Sequence, residues 1–495
     1  MKEKHYLYGA AVQGIQSFIF QTNELKDIVG ASELVEMVCT SAFDEYADSE
    51  GHETDPNSIV RAAGNIKYIF DSEEKCKKAV REFPKKVQSM APGITISQAV
   101  VELEDGEFGM AVDKLENKLR IQRNRPMRSS TWGMLGVRRS RKTGLPAVEK
   151  VKDDYLDDAT FKKRKDRENA TVRVCEKAFG AASGTLNKDK IAFDIEEMTT
   201  VNDWIAIIHA DGNGLGQVIQ KIGKSKGKLA EFSKKLDELT RQAAVKAYTE
   251  TMEKDELSYF NRSMPIRPVV LSGDDLTVII RGDLALTYAE AFLRYFEEVT
   301  IEAMPDIVEK GKGLTACAGI AFIKSSYPFY YGYELAEALC GRAKKRAKEI
   351  NPTLAPSCLM FHKVQDSFVE SYDEIVKREL TPCKDASFEF GPYFLNAQKN
   401  YWKIKELEDD VKSLDNDEGN AVKSHLRQWI SIMHNGGIEQ AAQKQKRLIS
   451  VLESKSSLKA LAEHLITNVT VNGIRKYPVY DALALHSINS QVTRK

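Results

Sequence analysis

Hydrophobic and polar positions alternate in blocks that repeat along the chain. Residues 6–12 form an apolar, strand-like run. A break at Gly14 and the phrase Ile15-Gln16-Ser17-Phe18-Ile19-Phe20 follow. Over 23–48, Leu25, Ile28, Val29, Ala31, Leu34, Val35 and Val38 share one broad face at helical spacing. Residues 58–70 hold two short β-rich runs around Gly64, which predicts a hairpin. Residues 72–90 return to helical spacing, and 94–101 alternate as a strand. The order strand, helix, hairpin, helix, strand predicts a ferredoxin-like α/β unit ending near residue 120.

The rhythm breaks between 120 and 200. Arg120, Arg123, Arg125, Arg128, Arg138, Arg139, Arg141 and Lys142 crowd a segment poor in apolar residues, and a charged stretch runs from 150 to 169. This reads as an insertion or connector, either a solvated loop or a basic surface facing phosphate or RNA.

From 203 the first pattern returns with longer elements. Residues 204–210 are an apolar strand. Residues 229–252 are a helix with Leu229, Phe232, Leu236, Leu239 and Ala243 on one face. Apolar runs at 269–271 and 276–280 flank Ser272-Gly273-Asp274-Asp275. Asp283 is placed to cap the next helix, which buries Leu286, Ala289, Phe292, Leu293 and Phe296. A strand at 314–323, a helix at 332–349 with a basic end, and a strand at 358–361 complete the unit. The chain thus reads as internally duplicated. Beyond 395 strand signals fade, and 396–414, 420–434 and 437–466 read as helices. The predicted fold class is α+β: two ferredoxin-like domains (1–120 and 201–365), a basic connector (121–200) and a mainly helical C-terminal domain (366–495).

Composition changes little in this picture. The 495 residues hold enough apolar material for several cores, and 72 basic against 72 acidic residues leave no net charge. No run is long and apolar enough for a signal peptide or a membrane span, so a cytoplasmic protein without membrane association is expected. The seven cysteines are scattered, never spaced CxxC, and read as reduced thiols without a zinc site. Cys317 and Cys340 read as core fillers.

Two segments carry chemistry. In Ile207-Ile208-His209-Ala210-Asp211-Gly212-Asn213-Gly214-Leu215-Gly216 a buried strand delivers a carboxylate. Glycines then allow close backbone approach before a helix, an arrangement that suits a triphosphate. In Leu271-Ser272-Gly273-Asp274-Asp275-Leu276 two adjacent carboxylates stand at a hairpin tip between buried strands. Such charges need a positive partner, and Mg²⁺ (or Mn²⁺) suits oxygen ligands completed by water and phosphate. Placing the strand after the first strand and helix beside that first strand brings Asp211 to the Asp274–Asp275 turn. Each segment alone is ordinary turn chemistry. Both at strand ends, in this order, point to two-metal phosphoryl transfer.

These segments resemble the palm domains of GGDEF-type nucleotidyl cyclases. They resemble still more the large palm-domain subunit of type III CRISPR effector complexes, which makes cyclic oligoadenylates. Ser272-Gly273-Asp274-Asp275 stands where that family has GGDD, and Asp211-Gly212-Asn213-Gly214-Leu215-Gly216 where it has Asp-x-Asp-Asn-Leu-Gly. Ala318-Gly319-Ile320-Ala321, Tyr333-Glu334-Leu335-Ala336-Glu337 and Arg342-Ala343-Lys344-Lys345 are similar to its next strand and helix. Gly14-Ile15-Gln16-Ser17-Phe18-Ile19, Gly30-Ala31-Ser32 and the acid-free turn Ala63-Gly64-Asn65 are similar to its first palm.

The resemblance implies Mg²⁺ on Asp211, Asp274 and Asp275, with ATP as substrate. Gly212, Asn213, Gly214, Ser272 and Gly273 would contact nucleotide, with Lys344 and Lys345 reaching the triphosphate. Ser32 and Asn65 would support a second nucleotide from palm 1. It further implies a cyclic oligonucleotide messenger in antiviral signalling, with RNA or other effector subunits as partners. A homo-oligomer is among the allowed states. The chain departs from the family in starting at palm 1 with no HD pair near the start, in lacking the cysteine cluster between the palms, and in carrying Asn213 for the second acid of its motif. DNA cleavage and zinc are therefore not expected, and one metal would rest mainly on Asp211, Asp275 and phosphate. Three rival readings remain: a cyclic dinucleotide synthase, a non-catalytic nucleotide-binding scaffold, and a template-dependent polymerase.

Overall fold

The computed structural model describes residues 4–22, 24–47, 55–62, 64–104, 106–125, 136–165, 167–180, 190–193, 195–199, 203–255, 263–305, 311–366, 371–415 and 419–492. Ala63 and Arg128 lie outside the described residues. Two compact units divide the chain. The first comprises Met1–Ile195, Gly214–Val245 and Arg267–Thr277; the second comprises Glu196–Asn213, Lys246–Ile266 and Val278–Lys495.

The first unit is built on strands β1 (His5–Gln13), β2 (Ser58–Ala62), β3 (Asn65–Phe70) and β4 (Thr95–Leu103), in the antiparallel order β2-β3-β1-β4. This is ferredoxin-like order, with the hairpin's second strand against β1. Helices α1 (Ile15–Ile19), α2 (Leu25–Cys39), α3 (Ser41–Asp44), α4 (Glu73–Met90) and α5 (Phe108–Arg123) complete the first palm. One core joins Leu7, Ile69 and Val101 of the strands to Leu115 and Leu119 of α5. A second is aromatic: Phe43 packs on Tyr8, Tyr68 and Phe83 at ring distances of 5.7, 5.6 and 5.2 Å. Alternation along β1 supplies both, because successive side chains leave opposite faces.

The basic connector is more structured than a solvated loop. Its described part forms strands β5 (Ala147–Val151) and β6 (Asp154–Asp157) and helices α6 (Asp158–Arg164) and α7 (Arg167–Phe179). Lys163 is buried, donating to the Phe18 carbonyl at 2.6 Å and to Gln21 Oε1 at 3.0 Å. Burial pushes its ammonium down to about 8. Arg164 grips the buried Asp27 at 2.5 and 2.9 Å. Two charges of this stretch are thus taken up by partners on α1, α2 and the turn between them, while Arg138, Arg139 and Arg141 stay exposed.

After α8 (Ile195–Met198), the second palm runs through β7 (Trp204–Gly212), α9 (Leu215–Ile222), α10 (Lys226–Glu253), β8 (Ile266–Ser272), β9 (Asp275–Arg281), α11 (Ala285–Ala303), β10 (Ala316–Lys324), α12 (Phe329–Ile350) and β11 (Cys358–Lys363). Helix α13 (Tyr372–Arg378) and the two-residue strands β12 (Ala386–Ser387) and β13 (Tyr393–Phe394) follow. The sheet order is β13-β11-β10-β7-β9-β8, so the ferredoxin-like arrangement is extended by β11 and β13. β7 is buried along nearly its whole length, as expected of a central strand. Its neighbour is β9, the second strand of the hairpin; the first, β8, lies at the edge. This corrects the pairing expected from sequence, because ferredoxin-like order places the later hairpin strand inside. Asp283 does not cap α11 either: its carboxylate is held by Arg281 at 2.6 Å, and the N-cap of α11 is Leu284, which makes no side-chain cap.

The C-terminal part is mainly helical: α14 (Ile404–Leu414), α15 (Gly419–Val451), α16 (Ser456–Ile466) and α17 (Val479–Val492), with β14 (Val469–Val471) and β15 (Ile474–Lys476) inserted. Gly437 breaks the α15 backbone at φ 72°, and α16 is separate, where the sequence suggested one helix from 437 to 466.

Candidate nucleotide site

Asp211 is the penultimate residue of β7, half-exposed at the strand end. Its counter-ion comes from α12, 133 residues away in sequence. Lys344 forms an ion pair with the Asp211 carboxylate and donates to the Gly212 carbonyl at 2.8 Å. Burial alone would lower the Lys344 pKa. The Asp211 charge and hydrogen bond outweigh it, so the ammonium is held above its ordinary value. Lys345, the next residue, is exposed. His209, two residues before Asp211, is buried against Tyr333. Its pKa is lowered, by burial first, against the pull of Asp211 and Glu337, so it is neutral at pH 7.

Asn213 follows β7 and turns inward. Its backbone N–H donates to the Thr315 carbonyl at 2.8 Å. Its side-chain amide donates to Thr315 Oγ1 at 3.2 Å and to the Ala355 carbonyl at 3.3 Å. The residue that replaces an acid of the family phrase thus ties the end of β7 to the loops before β10 and β11. Gly214 then turns the chain into α9 in the left-handed region at φ 70°.

The second segment is a hairpin tip. Ser272 ends β8, Asp275 begins β9, and Gly273-Asp274 form a two-residue loop. Gly273 has φ 64°, and glycine at the first loop position is what such a tight turn requires. Its backbone N–H donates to Asp237 Oδ1 on α10 at 3.1 Å. Nothing in the sequence singled Asp237 out, because its partner is a backbone group.

Two clefts in the first unit meet this tip. Asp275 lines a cleft of about 380 Å³ together with Gln13, Gly14, Gln16, Asn65 and Arg123. The acid-free turn of the first palm and the acidic turn of the second therefore share one space. Arg123, at the end of α5, adds the cation. Gln13, Gln16 and Arg123 were not among the residues expected from sequence, although Arg123 belongs to the basic run noted there. Ser272 lines a second cleft, of about 840 Å³, with Thr40, Arg61, Lys177, Asp237 and Arg241. Ser32 is half-buried on α2, one turn before Glu36, which lines that second cleft.

Among the described residues, no three His, Cys, Asp or Glu side chains stand together as a ready-made metal cage. Mg²⁺ does not need one, since it keeps several waters and is commonly held by one or two carboxylates plus substrate phosphate. Asp211, Asp274 and Asp275 are each oxygen donors of the type that such an ion takes.

The fold is a two-palm α+β architecture with two adjacent acids at a hairpin tip of the second palm. Residues 204–351 match the family model for Cas10/Cmr2, second palm domain. No curated protein matches the sequence. Solved structures with this fold include a Csm1-Csm4 cassette in complex with pppApApA, at 13% identity and TM-score 0.57, covering 100% of this chain and 70% of that chain. The Csm1-Csm4 subcomplex in the type III-A CRISPR-Csm interference complex is similar at 14% identity and TM-score 0.56, covering 99% and 70%. A Csm1-Csm4 cassette in complex with one ATP is similar at 13% identity and TM-score 0.55, covering 99% and 70%. Among the described residues no helix is long and apolar enough to cross a membrane.

Proposed function

We propose that the chain is a Mg²⁺-dependent (or Mn²⁺-dependent) nucleotidyltransferase that joins ATP into a cyclic oligonucleotide, a cyclic oligoadenylate, as a messenger in antiviral defence. The observation that carries this reading is the shared cleft: Asp275 of the acidic turn and Asn65 of the acid-free turn line one space with Arg123. An acid on one palm, opposite an amide on the other, suits one catalytic and one supporting half. Similar folds are known with ATP, with AMPPNP, with pppApApA and with cA4, which favours the same ligand class here.

In this reading Asp211, Asp274 and Asp275 hold the metal. Mg²⁺, when bound, supplies charge neutralisation to the triphosphate and acidifies the attacking hydroxyl. The 3′-hydroxyl oxygen of one nucleotide bonds to the α-phosphorus of the next, and pyrophosphate leaves. Gly212, Asn213 and Gly214 shape the backbone at the strand end, so that the chain can approach phosphate closely. Ser272 and Gly273 present the turn. Lys344 holds Asp211 in place and offers its ammonium to phosphate, and Lys345 adds charge at the helix surface. Ser32, Asn65 and Arg123 serve the supporting nucleotide. The protein acts in the cytoplasm, with effector subunits, RNA or a second copy as partners, and not at a membrane.

The test is incubation of purified protein with each NTP and Mg²⁺ or Mn²⁺, with and without RNA, read by mass spectrometry beside D274A/D275A. Cyclic or linear adenylates that vanish in the variant support the reading. A guanine-only product would replace it with a dinucleotide cyclase. ATP binding without product, in the presence of RNA and partner subunits, would replace it with a scaffold.

A further inference from the structure

A fourth carboxylate stands beside the acidic turn. Asp237 lies on α10, about a quarter exposed, and its Oδ1 accepts from the Gly273 N–H at 3.1 Å. An extra negative charge next to Asp274 and Asp275 repels them unless something offsets it. Two cations do so. Lys177 Nζ stands 3.8 Å from Asp237 Oδ1, and Arg241 Nε stands 3.7 Å from Oδ2, one helical turn along α10. Lys177 also donates to Glu36 Oε1 of α2 at 3.2 Å. The cations are too distant to take Asp237's lone pairs as short hydrogen bonds, yet near enough to neutralise it. Its acceptor capacity is left for the turn.

Strand pairing fixes the two legs of a hairpin but leaves its two-residue tip free to rock. A hydrogen bond from a separate element to the tip's own N–H removes that freedom. Gly273 is the residue just before Asp274 and Asp275, so its orientation sets where both carboxylates lie. Small errors in such placement are costly to phosphoryl transfer, because positioning supplies much of the rate.

We propose that Asp237 is a positioning residue, which pins the Ser272-Gly273-Asp274-Asp275 turn through the Gly273 N–H while Lys177 and Arg241 keep its charge from the metal-binding acids. The inference rests on the nucleotidyltransferase reading of the turn. Two measurements on the full chain test it. The first is amide hydrogen exchange over the 271–276 segment, which needs no turnover. D237L speeds exchange there, and D237N, which keeps an acceptor oxygen, stays near wild type. The second is steady-state turnover of ATP. D237L lowers kcat about tenfold with KM within about twofold, the size expected for one lost charge-assisted hydrogen bond. D237N recovers most of it. Unchanged exchange in D237L, or D237N as impaired as D237L, overturns the proposal. If D237L does not fold, D237S, too short to reach Gly273, takes its place. A wild-type protein without turnover would refute the catalytic reading, while exchange would still decide whether Asp237 holds the turn.

Discussion

Lys344 holds the end of β7 twice, through the carboxylate of Asp211 and through the Gly212 carbonyl at 2.8 Å. If Asp211 holds the metal as proposed, the ammonium and the metal compete for the same carboxylate. Replacing Lys344 should split two properties. In K344M, Mn²⁺ binding without nucleotide tightens severalfold, because Asp211 loses its competing cation. ATP turnover falls at least tenfold, because triphosphate loses a charge-assisted contact. Free Mn²⁺ measured by electron paramagnetic resonance reads the first effect, and product formation the second. Equal loss of both would show that Lys344 only holds the fold.

The same pair has a defined pH signature. The folded pKa of Lys344 is raised, so its stabilisation is fully present below the unfolded value, about 10.4. It is lost only as pH rises through the folded pKa. The difference in Tm between wild type and K344M should then be constant from pH 6 to 9 and shrink above pH 10.5. A difference that already shrinks near pH 8 would mean a depressed ammonium.

Arg123 gives a different kinetic pattern. It lines the cleft shared by Asn65 and Asp275 without belonging to the acidic turn. R123A should raise KM for ATP about tenfold, as one hydrogen bond to a charged phosphate is worth roughly 1.5–3 kcal/mol. Its kcat should change little, and added salt should narrow the gap to wild type. A loss confined to kcat would place Arg123 at the reacting phosphate instead.

Strands and helices were legible from sequence because burial imposes a period of 2 or 3.6 on each. The strand ends at 211–212 and 272–275 were legible because Asp-Gly and Gly-Asp phrases stand there between apolar runs. Long-range partners were not. Lys344 stood out as a basic helix end, but its pairing with Asp211 depends on α12 crossing the sheet. Asp237 was invisible because a backbone N–H carries no side-chain signal. The connector misled because Lys163 and Arg164 look solvated by composition, while the Phe18 carbonyl and Asp27 bury them. The inner position of β9 depends on sheet topology, which periodicity does not encode.

Gly30 tests that connector. A Cβ there would sit 1.9 Å from the Lys163 carbonyl oxygen, so α2 and α6 meet backbone to backbone. G30A must push α6 away, disturbing the Lys163 and Arg164 bonds together. It should lose about 3 kcal/mol of stability in urea unfolding, at the upper end of overpacking costs. A neutral G30A would show that α6 is loosely held.

The C-terminal part contains its own titration. Asp481 is buried, accepts from the Tyr393 hydroxyl at 2.7 Å, and has its pKa pushed up to about 7, by burial first and then by Glu389. A raised carboxylate works against the folded state as it ionises. Between about pH 4 and pH 7 the folded chain binds more protons than the unfolded one, so stability falls as pH rises through that window. D481N removes the titration and retains an acceptor for Tyr393. It should raise Tm by several degrees at pH 8, leave it nearly unchanged at pH 4, and flatten the slope between. A D481N protein less stable than wild type at pH 8 would mean that the ionised carboxylate is paid for by Lys476, which stands 3.6 Å from Glu389, and that the buried charge helps hold the fold.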